Sequence, residues 1–278
     1  MTTGVFLAVL CAALLHASWN AVVKFGDDRF HGMMLLSLGH GVFGLILVIL
    51  YPVPLPGAWW FMAGSVAFHL FYKTFLTAAY NRGDLSRVYP IARGTAPIIV
   101  LVLGGLFLSD TLSALQVAGI LGVGLGILLL ARGVFAHGEA ASLIPFALLS
   151  AVGTAGYSIF DGLGARASGS ASGYVGWLFL LDAAIFMIGG FAWKGRAAVP
   201  TKFKPWVLGL LAGGGSVGAY WIAVWAMTVA PIALVTALRE VSVLFAVLIG
   251  VFFFKEKADA GKLIAACVIV AGVVLIRL

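Results

Sequence analysis

Charged residues are scarce in this 278-residue chain, because Asp, Glu, Lys and Arg together make up only 10% of it. Hydrophobic residues make up 63%, and the mean hydropathy is +1.13. A water-soluble domain does not need so much apolar surface to cover its core. The composition therefore predicts an integral membrane protein. The net charge of +7 then indicates cytoplasmic loops rich in Lys and Arg, and we expect no nucleic-acid partner.

Cysteine is nearly absent as well. Cys11 and Cys267 both lie in apolar runs, where cysteine behaves as a small hydrophobic residue. Two such cysteines exclude a disulfide framework and provide no metal-ligand spacing. The chain also has no paired catalytic carboxylates and no His-rich metal motif, so we expect no enzyme, no metal and no cofactor. An intramembrane enzyme or a receptor remains as a distant alternative.

The apolar runs are long enough to cross a bilayer as helices, which takes about 20 residues each. A membrane β-barrel would show shorter, alternating segments, so we predict an all-α integral membrane protein. The first run has neither a basic leader nor a small-residue cleavage site, which favours a retained span. The ten predicted spans are 4–24, 32–51, 57–80, 86–108, 113–131, 142–162, 173–193, 205–229, 232–254 and 259–276.

The two halves of the chain resemble each other. An offset of 138 residues aligns Trp19 with Tyr157 and Asn20 with Ser158. Further pairs at an offset of 146 are Trp60 and Trp206, Arg93 and Arg239, Gly104 and Gly250, Phe107 and Phe253, Asp110 and Glu256, and Gly126 and Gly272. We interpret the chain as two five-helix repeats, 1–135 and 136–278, that form one domain.

Because five is an odd number, the second repeat must enter the membrane upside down relative to the first. The loops after spans 1, 3, 5, 7 and 9 carry 12 of the 17 Lys and Arg residues. The positive-inside rule then makes these loops cytoplasmic and places both termini outside. The predicted fold is ten transmembrane helices in two inverted repeats around a central cavity.

Polar and aromatic side chains recur at helical spacing in spans 1, 3 and 4 and in their counterparts 6, 8 and 9. We expect these faces to line a cavity near the membrane midplane, where inverted-repeat transporters bind their substrates. The candidate lining residues are His16, Trp19, Asn20, Tyr72, Lys73, Tyr89, Arg93, Tyr157, Ser158, Tyr220, Trp221, Arg239 and Glu240.

Arg93 and Arg239 are the main candidates, because a charge inside a bilayer costs roughly 2.5 to 3.5 kcal/mol and usually faces a cavity or a partner. Arg93 follows Arg87 by six residues, about 9 Å along a helix. We expect each arginine to gate the cavity, or to bind an anionic group, on its own side. Alternatively, Arg239 pairs structurally with its neighbour Glu240, or Glu240 neutralises another buried cation.

Several other residues allow two interpretations each. Lys73 either snorkels to the interface or faces the cavity, and Tyr89 is either an interfacial or a cavity residue. His16 is a helix contact or a titrating switch, and Asp182 a structural hydrogen-bond partner or a proton relay. The glycines at 213–215 permit close helix packing or local unwinding.

Two prolines, Pro90 and Pro97, lie within the fourth predicted span. Each removes a helical hydrogen bond, so both are expected to bend the helix and free carbonyl groups toward the cavity.

Four short motifs carry a resemblance to a known family. They are H-A-S-W-N-A at 16–21, Y-P-I-A-R-G-T-A-P at 89–97, L-S-D-T-L-S at 108–113 and F-K-E-K at 254–257. With the ten spans and the repeat, they make the chain similar, over essentially its whole length, to the ten-helix EamA-type branch of the drug/metabolite transporter superfamily. The resemblance implies alternating access, a bacterial inner membrane, lipid as the surrounding partner and, with two repeats in one chain, a functional monomer.

Members of that branch export amino acids, while others move choline, nucleotide sugars or phosphorylated compounds. The aromatic faces and the two arginines favour export of amino acids with aromatic or hydrophobic side chains. Phosphonates, choline-like amines and other small metabolites are the alternative substrates. Proton coupling stays open, with Glu240, Asp182 and His16 as candidates.

Overall fold

The computed structural model describes residues 1–24, 29–82, 85–131, 142–253, 255 and 259–278. These residues form eleven α-helices, one short 3-10 helix after α7 and no strand. The α-helices are α1 Thr3–Lys24, α2 Arg29–Leu50, α3 Ala58–Tyr80, α4 Leu85–Phe107, α5 Ala114–Leu129, α6 Leu143–Ala167, α7 Ala171–Lys194, α8 Phe203–Val229, α9 Ile232–Glu240, α10 Ser242–Phe253 and α11 Ala260–Arg277.

The all-helical prediction is confirmed for the described residues. Eight stretches are long and apolar enough to cross a membrane, counting α9 and α10 as one stretch. Of the other two predicted spans, α5 is a shorter apolar helix of 16 residues. The other, α3, has 23 residues, but its polar face, with His69 and Lys73, lowers its hydropathy.

Two helix boundaries differ from the prediction. Span 232–254 is not one regular helix, because α9 ends at Glu240 and α10 begins at Ser242. At the break the Val241 N–H bonds to the Leu238 carbonyl at 3.2 Å, which is a tightened i→i−3 turn. In addition, α6 continues to Ala167, so Arg166 lies in the last turn of a helix and not in a loop.

The most extensive helix contacts join the two halves of the chain: α3 with α6, α5 with α11, α2 with α7, and α1 with α8. In α2 and α7, Met34 contacts Gly190 while Leu47 contacts Gly176, so the two helices run antiparallel. In α5 and α11, Gly119 lies against Ile276 and Gly126 lies against Ile269, so these two helices are also antiparallel. Both pairs are equivalent helices under the repeat offsets.

Close helix packing rests on glycine at several of these contacts. A Cβ added at Gly213 would lie 2.6 Å from the Cα of Gly39, so α8 and α2 touch backbone to backbone. Since α8 is unbroken from Phe203 to Val229, the glycines at 213–215 serve packing and not unwinding.

α9 lies at the centre of the largest buried cluster. Its residues from Ile232 to Leu238 are buried, and so is Glu240, while Arg239 is partly exposed. The central position of α9 brings the charged pair of residues at its end into the interior of the protein.

Candidate functional site

A central cavity lies between α1, α4, α8 and the junction of α9 and α10. The centre of a water molecule can occupy a volume of about 10 Å³ in this cavity, so the cavity holds roughly one water molecule. The space at this site is therefore small, and a larger ligand requires the helices to move apart. The lining residues are Ala12, Ala13, His16, Arg93, Ala219, Tyr220, Arg239, Glu240 and Ser242.

Arg93 and Glu240 form a buried ion pair across the cavity. Nη1 of Arg93 lies 3.2 Å from Oε1 and 3.4 Å from Oε2 of Glu240. The two side chains are 10% and 2% exposed. Glu240 thus neutralises a cation from the other half of the chain and does not pair with its neighbour Arg239. The guanidinium of Arg93 also lies over the Tyr89 ring, 5.2 Å from its centroid.

Arg239 lines the same cavity without an anionic partner. Its guanidinium carbon lies 4.9 Å from the centroid of the Tyr220 ring, a cation–π contact. Within the described residues it makes no hydrogen bond and no ion pair. The lining therefore holds two guanidinium groups against one carboxylate, and its net charge of about +1 attracts an anionic group.

A buried carboxylate fixes the ring beneath Arg239. Asp161 is fully buried and accepts hydrogen bonds from the hydroxyls of Tyr174, at 3.1 Å, and Tyr220. Tyr220 is thereby held with its ring face toward Arg239. No pattern in the sequence indicated that two tyrosines would bind Asp161.

Aromatic rings from α3 and α6 form a wall near the cavity. Tyr157 stacks on His69, with ring centroids 4.1 Å apart, and meets Tyr72 edge to face at 5.8 Å. His69 also lies 6.1 Å from the ring of Tyr220, which lines the cavity. This wall contains two predicted site residues and His69, which the sequence analysis did not select.

Other predicted site residues do not reach the cavity. The exposed Asn20 donates to the His16 carbonyl, and Ser158 donates to the carbonyl of residue 154; such bonds satisfy polar groups within their own helix. Trp221 donates to Ser172 at 2.9 Å, away from the site. Trp19 meets His16 edge to face at 5.2 Å, and within the described structure its buried indole N–H has no partner.

Lys73 and Asp182 form an ion pair. Nζ of Lys73 lies 2.9 Å from Oδ1 of Asp182, and the ring of His40 contacts Oδ2 at 3.3 Å. The lysine side chain is 40% exposed. This cluster lies outside the cavity lining, and neither charged residue had a predicted partner.

Pro90 and Pro97 both lie inside α4. Proline has no N–H, so Pro97 leaves the carbonyl of Arg93 without its helical partner.

A second polar cluster closes one end of the protein. Arg166 binds Asp110 through two parallel hydrogen bonds of 2.9 and 3.0 Å. Arg166 also donates to the carbonyls of Met227 and Ala230, and Asp110 accepts from the N–H of Ile232 at 2.9 Å. The turn after α4 is therefore tied to the ends of α6 and α8 and to the start of α9. Its repeat counterpart, Glu256, lies outside the described residues.

The model of the EamA-like transporter family matches residues 2–132 and again residues 141–278. The chain belongs to the EamA-like transporter family. The two matches confirm the resemblance and the two-repeat architecture, and they identify a multi-pass membrane transporter of small molecules. A solved structure described only as "Crystal structure of protein" is 19% identical, covers 100% of this chain and 99% of its own, and superposes with a TM-score of 0.80. That likeness concerns the fold. Comparison with curated proteins gives no match.

Proposed function

We propose that this EamA-like protein is a secondary transporter that exports amino acids with aromatic or hydrophobic side chains by alternating access. The observation that carries the proposal is the guanidinium of Arg239, which lines the cavity without an anionic partner. A substrate carboxylate is the group that fits it, because guanidinium binds carboxylate through two parallel hydrogen bonds.

The remaining groups of an amino acid also find partners. Glu240 accepts from a single nitrogen of Arg93, at 3.2 and 3.4 Å, and carboxylate oxygens have capacity for a further donor such as an α-ammonium. The rings of Tyr157 and His69 offer a flat surface to an aromatic side chain. In this assignment Arg239 binds the carboxylate of the substrate, Glu240 binds its α-ammonium, and the aromatic wall contacts its side chain.

The net charge of the cavity lining distinguishes between the alternative substrate classes. A net charge of about +1 disfavours choline-like amines. A phosphonate carries up to two negative charges and would need another cation, yet Lys73 is held by Asp182. Phosphonates remain a second candidate because two guanidinium groups, Arg93 and Arg239, face one cavity.

Alternating access needs two similar halves that run in opposite directions. Antiparallel packing of α2 with α7 and of α5 with α11, which are equivalent helices, supports ten spans in two inverted repeats, 1–135 and 136–278. Contacts between helix ends agree with spans that alternate in direction. Arg277 at the end of α11 donates to Thr3 at the start of α1, and His31 in α2 contacts Ala197 after α7.

Charge bias and family membership further favour a bacterial inner membrane, with the loops after spans 1, 3, 5, 7 and 9 cytoplasmic and the termini outside. With both repeats in one chain, the cavity needs no second subunit, so the functional unit is a monomer.

The test is counterflow of labelled phenylalanine in liposomes that contain the purified protein. Saturable exchange is expected, with competition by unlabelled aromatic and branched amino acids. Arg239→Ala should raise the KM of this exchange about tenfold or more, while the matched control Asn20→Ala, at an exposed residue of α1, should exchange like wild type. Exchange of methylphosphonate or choline, with no exchange of phenylalanine, would overturn the substrate assignment and leave the transporter fold in place.

A further inference from the structure

We propose that Asp182, with His40 and Ser216, forms a proton-binding site separate from the substrate cavity, and that proton binding there drives transport. The proposal rests on the proposed transport function, whose substrate cavity it does not share. It assigns a task to a cluster of charged and polar side chains that substrate binding leaves unused.

Hydrogen bonds connect the members of this cluster. Asp182 is bound by Lys73 at 2.9 Å, and the His40 Nδ1 lies 3.3 Å from its second oxygen. An ionised carboxylate only accepts, so His40 Nδ1 donates to it. The other ring nitrogen, Nε2, lies 3.0 Å from the Ser216 hydroxyl. Ser216, His40 and Asp182 are therefore joined in that order by hydrogen bonds.

The two ends of this cluster differ in exposure. The side chains of Lys73 and Asp182 are 40% and 27% exposed, whereas that of His40 is 11% exposed. A proton that enters from the more exposed side therefore meets Asp182 first, and His40 and Ser216 hold the inner side of the carboxylate in place.

The ion pair crosses the boundary between the two halves of the chain. Lys73 is on α3 and His40 on α2, whereas Asp182 is on α7 and Ser216 is on α8. In this structure α2 packs extensively on α7, whereas α3 makes little contact with it. A rearrangement between the halves that moves α3 away from α7, as alternating access allows, therefore separates Lys73 from Asp182 and leaves His40 in place. A mostly buried carboxylate that loses its cation is strongly disfavoured unless it takes up a proton.

The step balances in charge. When Lys73 withdraws, one proton from water bonds to Oδ1 of Asp182, so the site exchanges one positive charge for another. When Lys73 returns, that O–H bond breaks and the proton goes back to water, on whichever side the site then faces. The ammonium and the proton compete for the same oxygen, and each movement of the halves binds or releases one proton.

Packing links this site to the substrate cavity. Phe179 lies against the His40 ring at 4.6 Å and against the Tyr220 ring at 5.4 Å. Tyr220 lines the cavity and follows Ser216 by one helical turn. A change at Asp182 that moves His40 therefore reaches the ring beneath Arg239 through one intervening side chain.

Other titratable groups near Asp182 in the described structure are engaged elsewhere. On α3, His69 bonds to Ser65 and stacks on Tyr157. On α6 and α8, Asp161 and Tyr220 bind each other. Lys73 and His40 are thus the titratable groups that contact Asp182 directly.

Ser216, His40 and Asp182 also stand in the order of a hydrolase triad, and residues 214–218 read G-G-S-V-G. A nucleophilic serine needs backbone N–H groups that point at the developing oxyanion. Ser216 lies in the interior of the unbroken helix α8, where those N–H groups bind helical carbonyls, and not on a strand-to-helix turn. The geometry therefore fits proton binding and not acyl transfer.

The experiment compares two modes of phenylalanine transport in proteoliposomes: counterflow without a pH gradient and accumulation driven by one. Wild type should do both. Asp182→Asn, which keeps the size of the side chain and one acceptor oxygen but cannot bind a proton, should retain counterflow within about twofold and lose accumulation. Accumulation by Asp182→Asn at the wild-type level, or wild-type accumulation that ignores the gradient, would overturn the proposal. Loss of wild-type counterflow would instead overturn the phenylalanine assignment.

A second measurement does not depend on the substrate. It therefore still tests the proposal if wild type does not exchange phenylalanine or if the single variant Asp182→Asn misfolds. The infrared difference spectrum of the purified protein between acidic and neutral pH should contain a protonated-carboxyl band that is missing from Asp182→Asn. The double variant Lys73→Gln/Asp182→Asn, which removes both charges together, should unfold within a few degrees of wild type and also lack the band. A band that persists in both variants would assign the proton to another carboxylate.

Discussion

Arg93 on α4 and Glu240 on α9 bind each other inside the protein at 3.2 Å and join the two halves of the chain across a small cavity. Arg239, the repeat counterpart of Arg93, lines the same cavity, where its guanidinium lies over the Tyr220 ring and makes no ion pair within the described residues. The two arginines are equivalent in sequence and different in environment. One holds the structure together, and the other is available to a ligand.

Loss of Glu240 should destabilise the protein more than loss of the whole ion pair. Glu240→Ala leaves the Arg93 guanidinium buried without a counter-charge, at an expected cost of about 3–5 kcal/mol. Arg93→Met/Glu240→Leu replaces both charges with apolar groups and should recover most of that loss. Thermal unfolding in detergent measures both variants. A double variant no more stable than Glu240→Ala would show that the charges do not act as a pair.

Arg239→Ala should weaken substrate binding and leave the stability of the protein nearly unchanged. Because Arg239 makes no ion pair in the described structure, its loss should move the unfolding temperature by only a few degrees. Its loss should raise the KM for phenylalanine exchange about tenfold or more, since a charged hydrogen-bond partner contributes about 1.5–3 kcal/mol. Arg239→Lys keeps the positive charge but lacks the planar guanidinium, so its KM should lie between those of wild type and Arg239→Ala. A KM unchanged in Arg239→Ala would remove this residue from the substrate site.

Asp110→Asn should open the end of the protein that Arg166 closes. Asn has a single acceptor oxygen and an NH2 that cannot accept from Arg166, so this variant loses at least one of the two parallel hydrogen bonds and the ionic attraction. In a background where Cys11 and Cys267 are alanine, Ser242→Cys places a thiol in the cavity lining. A membrane-impermeant thiol reagent should label it several-fold faster in Asp110→Asn than in the parent. The exposed neighbour Ser109→Ala serves as the control, and equal labelling rates in all three proteins would exclude a gate at this cluster.

Gly213→Ala should be strongly destabilising, because its new Cβ would lie 2.6 Å from the Gly39 backbone. The cost of forcing such helices apart is typically 1–3 kcal/mol. Gly105→Ala is the matched control, since nothing lies within 4 Å of its Cβ position and it sits in a helix. Unfolding temperatures should fall for the first variant and stay level or rise for the second. Equal effects would mean that α2 and α8 pack less closely than described.

The sequence predicted the helices, the two repeats and the two arginines of the cavity, because apolar run length and self-similarity need no tertiary information. It did not predict which partner Glu240 takes. Adjacent residues on a helix point about 100° apart, so Arg239 cannot share the direction of Glu240, and the partner on α4 is visible only in the fold.

The rotation of each helix about its axis was the other unknown. Spans that are apolar on every face give little indication of which face turns inward. Asn20 and Trp221 were therefore placed in the cavity, although one is exposed and the other bonds to Ser172. The contact between Lys73 and Asp182 joins residues 109 positions apart, which the repeat offsets do not relate.

The most direct test of the account is equilibrium binding of phenylalanine and of phenethylamine, its analogue without the carboxylate, to the purified protein. Wild type should bind phenylalanine at least about tenfold more tightly, a difference of about 1.4 kcal/mol, and Arg239→Ala should bind the two alike. Equal binding by wild type, or a preference that persists in Arg239→Ala, would contradict the assignment of Arg239 to the substrate carboxylate.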